Sequence, residues 1–131
     1  MKELSEIKIN VGIQSGSEAS DGSPLVDRAA ANEFGTDSIP ERSFMRSAFD
    51  ENQSALVSLV KALWNSTLSG KRNAMQSAHL LGQAHEGQIK EKITSLRTPP
   101  NSQVTIDRKG SSNPLIDSGE MRRSVRYEVK K

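Results

Sequence analysis

Apolar and polar residues alternate strictly near the start of the chain: Ile7, Ile9, Val11 and Ile13 are interleaved with Lys8, Asn10, Gly12 and Gln14. A period of two predicts a strand with one buried face. The period then lengthens. Leu25, Val26, Ala29, Ala30 and Phe34 predict the inner stripe of a short helix, with Ser23 as N-cap, Pro24 at the first helical position and Gly35 as a left-handed C-cap. Beyond the connector 36–42, the stretch from Ser43 to Gly70 predicts one continuous helix, about 40 Å long at roughly 1.5 Å per residue. Its inner face is read from Met45, Ala48, Phe49, Leu56, Leu59, Val60 and Leu63, and its wet face from Asp50, Ser54, Ser58, Lys61 and Asn65. Trp64 and Leu68 fall off that stripe, so Trp64 is either an interface anchor or packed on the next helix.

Gly70 ends this run and Lys71-Arg72-Asn73 turns it. A second long helix carries Ala74, Ala78, Leu81, His85, Ile89, Ile93 and Leu96 on one face, which makes a helical hairpin with the first. Gly82 and Gly87 each cost this helix about 1 kcal/mol and suit places where another backbone approaches closely or where the helix bends. Thr98-Pro99-Pro100-Asn101 stops it, and Val104 and Ile106 are compatible with a short strand. Asp117 and Glu120 form a capping-box pair for one helical turn holding Met121. Val125, Tyr127 and Val129 then alternate with Arg126, Glu128 and Lys130, a second half-buried strand whose natural partner is the first. The expected fold is α+β: one domain over 1–131, a small sheet of N- and C-terminal strands packed against a two-helix hairpin, and a short additional helix. The polar stretches 15–23 and 102–113 are expected to be mobile loops.

Composition sharpens this picture. Hydrophobic residues make up 34% of the 131 and aromatics 4%, a lean supply for a core that must stand alone, so oligomerisation is expected. No cysteine is present, which removes disulfides, thiolate metal sites and cysteine nucleophiles from consideration. The first residues lack the apolar run of a signal peptide, and no stretch reaches 18 consecutive apolar residues, so a soluble, cytoplasmically made protein is expected. The overall charge of +2 hides an asymmetry: residues 122–131 carry Arg122, Arg123, Arg126, Lys130 and Lys131 against Glu128, a net of +4, which leaves −2 for the rest. That basic end suits either a solvated strand or a surface for nucleic acid or an acidic protein.

Candidate chemistry is sparse. His79 and His85 lie six apart, on different faces of a helix, and the His85-Glu86 start of a zinc-protease motif fails because position 89 is Ile89. His85 reads as a hydrogen-bonded contact between helices. The glycines of 12–16 flank no serine at the position a nucleophile elbow needs, and the 15–23 loop lacks the Lys-Ser/Thr pair of a phosphate cradle. Asp50-Glu51 belongs to a wet face and Asp117/Glu120 to a cap. No catalytic residue, cofactor or metal is therefore assigned, and a non-enzymatic role is expected. A hydrolase would need a pocket around His85.

Three stretches together resemble the tail-completion, or virion-morphogenesis, proteins of tailed phages and prophages. The first is Ala30-Ala31-Asn32-Glu33-Phe34-Gly35-Thr36 followed by Ile39-Pro40-Glu41-Arg42-Ser43-Phe44-Met45-Arg46, similar to the family's Asn/His-Glu-Phe-Gly-Thr and Ile-Pro-x-Arg-Pro-Phe-Leu-Arg. The second is the long helix ending near Pro99-Pro100-Asn101. The third is Lys109-Gly110-Ser111-Ser112 with Pro114-Leu115-Ile116-Asp117-Ser118-Gly119-Glu120-Met121-Arg122-Arg123-Ser124-Val125. Ser43 stands where such proteins often have Pro, and it can still cap a helix; Ser118 stands where they often have Thr. The resemblance implies a structural subunit of the virion neck, assembled in the host cytoplasm as a homo-oligomeric ring between tail and head connector, with no membrane partner. With it goes the expectation that the polar loops order against neighbouring rings and that Arg122, Arg123 and Arg126 pair with acidic groups on an adjacent subunit or face DNA in a channel, with Trp64 the other candidate interface residue. The alternative from another class is a small nucleic-acid-binding regulator using the basic C-terminal strand.

Overall fold

The computed structural model describes residues 6–14, 16, 18, 22, 24–38, 40–96 and 120–130. Strand β1, Lys8–Ile13, pairs antiparallel with the last strand, β2, Val125–Lys130, in the register Lys8↔Lys130 to Ile13↔Val125. The two ends of the chain thus share one two-stranded sheet, as the matched alternations predict. Its inner face carries the pairs Ile9↔Val129, Val11↔Tyr127 and Ile13↔Val125, and its outer face the polar pairs Lys8↔Lys130 and Asn10↔Glu128. Between the strands lie α1 (Leu25–Phe34), α2 (Phe44–Glu51), α3 (Gln53–Leu68), α4 (Ala74–Ser95) and α5 (Glu120–Ser124). The fold is α+β, with α4 as the central pillar that touches both strands and α2, α3 and α5.

The start of α4 has a chemical cause. Asn73 Oδ1 accepts from Gln76 N at 2.8 Å and Gln76 Oε1 accepts from Asn73 N at 2.9 Å, a reciprocal capping box. Its predicted face is the observed one: Ala74, Ala78, Ile89 and Ile93 are buried. The main core gathers around the C-terminal half of α4, where Ile89 and Ile93 meet Phe44 and Ala48 of α2, Ala29 of α1, Met121 of α5 and Val125 of β2. At the other end, α3 and α4 meet through smaller side chains. Thr67 Oγ1 lies 2.7 Å from Ser77 Oγ and donates to the Leu63 carbonyl, so this buried polar pair is satisfied within the seam.

Several expectations are corrected. The continuous helix from Ser43 to Gly70 is two helices, broken at Asn52 with φ −110° and ψ 11°. Asn52 Nδ2 donates to the Ala48 carbonyl at 2.7 Å and its N–H to the Phe49 carbonyl, competing with the regular ladder and turning the axis. The bend re-aims α3. Phe49 and Val60, expected inside, are about half exposed, while Phe44 is fully buried. Helix α1 begins at Leu25, with Pro24 at the N-cap position and not inside the first turn. Its inner stripe is Leu25, Ala29 and Glu33, and Val26 and Phe34 face outward. Gly35 has φ 78° but ψ 163°, a region open essentially to glycine and different from the left-handed cap. A side chain there would also meet the Glu41 backbone at 3.0 Å. The Ser23 cap, the Asp117 end of the capping box, the Val104/Ile106 strand, the stop at 98–101 and the 102–113 loop lie outside the described residues, as does most of the 15–23 loop.

Candidate functional site

The tightest polar constellation is built on Glu33, at the last turn of α1. Its side chain, 6% exposed, faces the first turn of α2, where backbone N–H groups have no helical partner. Glu33 Oε1 accepts from Met45 N at 2.8 Å, and Oε2 from Ser43 Oγ at 2.7 Å, Arg46 Nε at 2.7 Å and Arg46 N at 3.3 Å. Ser43 therefore does not cap α2 through its own side chain; it donates to the carboxylate that caps α2 from another helix. Burial pushes the Glu33 pKa up, but the donors from Arg46, Ser43 and the Met45 and Arg46 backbone outweigh it and hold the carboxyl below its ordinary value. The hydrogen bond to Glu33 in turn raises the Arg46 pKa.

The same guanidinium ties the neighbouring residues together. Arg46 Nη2 donates to the Glu33 carbonyl at 2.7 Å and to Glu41 Oε1 at 3.1 Å, and its plane lies 5.0 Å over the Phe34 ring. Arg42 N donates to the Asn32 carbonyl at 2.6 Å, while burial of the Arg42 side chain pulls its pKa down. The segments 32–35 and 41–46 are thus the two halves of one junction, which gives a physical reason for their occurrence together. With its oxygens occupied by donors, Glu33 is a structural carboxylate and not a proton-transfer group. In the sequence Glu33 stands out only as part of the Asn32-Glu33-Phe34-Gly35-Thr36 motif, which carries no sign of this role. The one available signal was a Glu at i+8 from Leu25 and i+4 from Ala29.

A second feature runs along β1. A hollow of about 440 Å³ lies between Val11–Ile13, α1 and α2, with Val26, Phe34 and Met45 in its wall. It adjoins, through Val11, a hollow lined by Ile9, Phe49, Leu56, Val60, Leu81 and His85. That one shares Ile9, Val60 and Leu81 with a third, bounded by Ile7, Leu63, Trp64, Thr67, Ser77 and Ala78. Together they form an apolar trough along β1. His85 is held at the trough wall by Phe49, ring to ring at 5.9 Å and nearly perpendicular, and its Nδ1 lies 2.9 Å from Gln88 Oε1. Among the described residues it is the one ionisable side chain lining that middle hollow, and no reactive set converges there among them.

Trp64 stands at the rim of the trough, 43% exposed, in the wall of the hollow that Ser77, Ala78 and Leu81 of α4 also line. Arg122 and Arg123 project from α5 and Arg126 from the start of β2, all exposed. Arg126 lies opposite Gly12, whereas Trp64 lies beside Ile7 and Ile9, so the tryptophan and the arginines sit at different ends of the sheet, roughly 10–15 Å apart along the strand. They are two surfaces, not one.

His79 is exposed and its Nδ1 lies 3.1 Å from the Tyr127 hydroxyl. Among the described residues no group of three or more His, Cys, Asp or Glu side chains could hold a metal ion. No helix among them is long and apolar enough to cross a membrane. Comparison with family models, with curated proteins and with solved structures returns no match.

Proposed function

We propose that the chain is a structural virion protein of a tailed phage or prophage. It acts at the neck, completing the tail or joining it to the head through ring-forming contacts with copies of itself and with head-connector and tail proteins. It turns over no substrate and uses no cofactor. The observation that carries this reading is the coexistence of two uncovered surfaces of opposite character on one small scaffold. One is the apolar rim at Trp64 on α3. The other is the cationic end formed by Arg122, Arg123 and Arg126. A subunit held between neighbours needs at least two separate contacts, and contacts of different chemistry prevent them from being exchanged. The Glu33 junction adds support, because it welds together the two segments whose order and spacing resemble the virion-morphogenesis proteins.

The arginines pair with acidic groups on a neighbouring virion protein or face DNA in the channel. Replacing both Arg122→Glu and Arg123→Glu leaves the purified chain folded, because both side chains are exposed, and yields heads and tails that fail to join. Normal virions from that double variant overturn the proposal. Steep salt-dependent binding of DNA by the isolated chain, without assembly, favours a nucleic-acid-binding regulator instead.

A further inference from the structure

Helix α3 is unlike the other long helix. Among its 16 residues the only ionisable one is Lys61, whereas α4 carries two histidines, two glutamates and two lysines. Its buried side, through Leu63 and Thr67, rests on α4. A second stripe points outward: Val57, Val60, Trp64 and Leu68 are 52, 44, 43 and 56% exposed, at spacings of three, four and four. Phe49, which lines the same hollow as Val60, extends it across the Asn52 bend. The apolar sector of α3 therefore spans about half of its circumference, twice what one neighbour covers.

We infer that the outward stripe of α3 is a two-fold dimerisation face that packs antiparallel against α3 of a second copy of this chain. Three observations select that occupant. A partner rich in charge would strand its charges against a helix that offers only Lys61, which excludes nucleic acid and polar peptides; α3 itself has the matching charge-poor, apolar character. The stripe is also self-complementary: an antiparallel pairing that sets Val60 against the partner subunit's Trp64 sets Val57 against the partner subunit's Leu68. The area fits too. Five roughly half-exposed side chains, with aromatics of about 150–250 Å² each, present on the order of 400 Å² of apolar surface. That is close to the apolar share of the roughly 800 Å² that each partner gives to a standard interface.

The inference does not rest on a virion role. A two-fold contact closes at two copies, so a ring would have to be built from such pairs through other surfaces. Sedimentation of the purified full chain, of 14.3 kDa, is expected to give a dimer of twice that mass at micromolar concentration. Trp64→Glu should weaken it at least 100-fold with unchanged circular dichroism, while Arg122→Glu/Arg123→Glu leaves it intact. A wild-type monomer at 100 μM, or an oligomer indifferent to Trp64→Glu, overturns the inference. Should Trp64→Glu fail to fold, cysteine pairing decides, since the chain has no thiol of its own. Oxidising a mixture of Val57→Cys and Leu68→Cys proteins should give the covalent heterodimer, and Val57→Cys alone should not. The reverse pattern, or no cross-link in either, overturns it.

Discussion

The α1–α2 junction and helix α3 handle their exceptional residues in opposite ways. At the junction a carboxylate and a guanidinium are drawn into or against the protein, and the donors around Glu33 are matched to its two oxygens. On α3 the exceptional residues are apolar, and the fold leaves them half bare. Buried polar groups must be paired within the chain, because each unmade hydrogen bond costs a desolvation penalty. Exposed apolar groups carry no such obligation and can wait for a second molecule. The junction is therefore where substitution should cost folding, and α3 where it should cost association.

The largest effect is expected at the junction. Glu33→Ala strips the Met45 and Arg46 N–H groups and the Arg46 guanidinium of their acceptor, at a cost of about 2–3 kcal/mol in urea denaturation. Acid should reproduce part of this loss. Because its donors hold the Glu33 pKa below that of the unfolded chain, its contribution is complete above the usual carboxylate value of about 4.3 and disappears as pH falls through the lower folded value. Thermal midpoints measured from pH 6 to pH 3 should fall further for wild type than for Glu33→Gln. Equal slopes would mean that the carboxylate does not hold α2.

Helix α4 runs between the two regions, and its glycines test how packing decides. A Cβ on Gly82 would lie 2.6 Å from Tyr127 Cδ2 and 2.9 Å from Cγ, so the Tyr127 ring rests on the helix where a side chain would stand. Gly82→Ala gains about 1 kcal/mol of helix propensity but overpacks, for a net loss of roughly 1–2 kcal/mol. In a Tyr127→Ala background the same substitution should become stabilising, a sign change that a double-mutant cycle reads directly. Gly87 has nothing within 4 Å of such a Cβ, and Gly87→Ala should stabilise by about 0.5–1 kcal/mol in wild type.

These contrasts mark what could be read from the residues alone. The strand pairing was legible because Ile9, Val11 and Ile13 repeat every second position and so do Val125, Tyr127 and Val129. The face of α4 was legible for the same reason at a period near 3.6, but the close neighbour of Gly82 is the Tyr127 ring and not the expected backbone, and Gly87 has no such neighbour within 4 Å. The break at Asn52 was not, because the apolar spacing continues across it and the turn depends on one side-chain amide reaching back to Ala48. Glu33 was hidden by distance: its partners lie 10 to 13 residues away, and periodicity assigns a carboxylate to the wet side. On α3, spacing alone could not divide a broad apolar sector into the part buried on α4 and the part left about half exposed. Of the candidate interface residues, Trp64, Arg122, Arg123 and Arg126 are all at the surface, but nothing in their spacing revealed that they belong to two ends.

The smallest effect on the folded monomer is expected on α3. Val57 is 52% exposed and lines none of the three hollows described, so Val57→Gln removes little buried surface and should shift monomer stability by no more than about 0.5 kcal/mol. Stability must be compared at a protein concentration below dissociation, since association adds a concentration-dependent term to the wild type. Raising the concentration a hundredfold should then lift the wild-type thermal midpoint and leave that of Val57→Gln nearly unmoved. A Val57→Gln monomer destabilised as much as Glu33→Ala would erase the distinction between the two regions, because it would make the outward stripe part of what the single chain needs to fold.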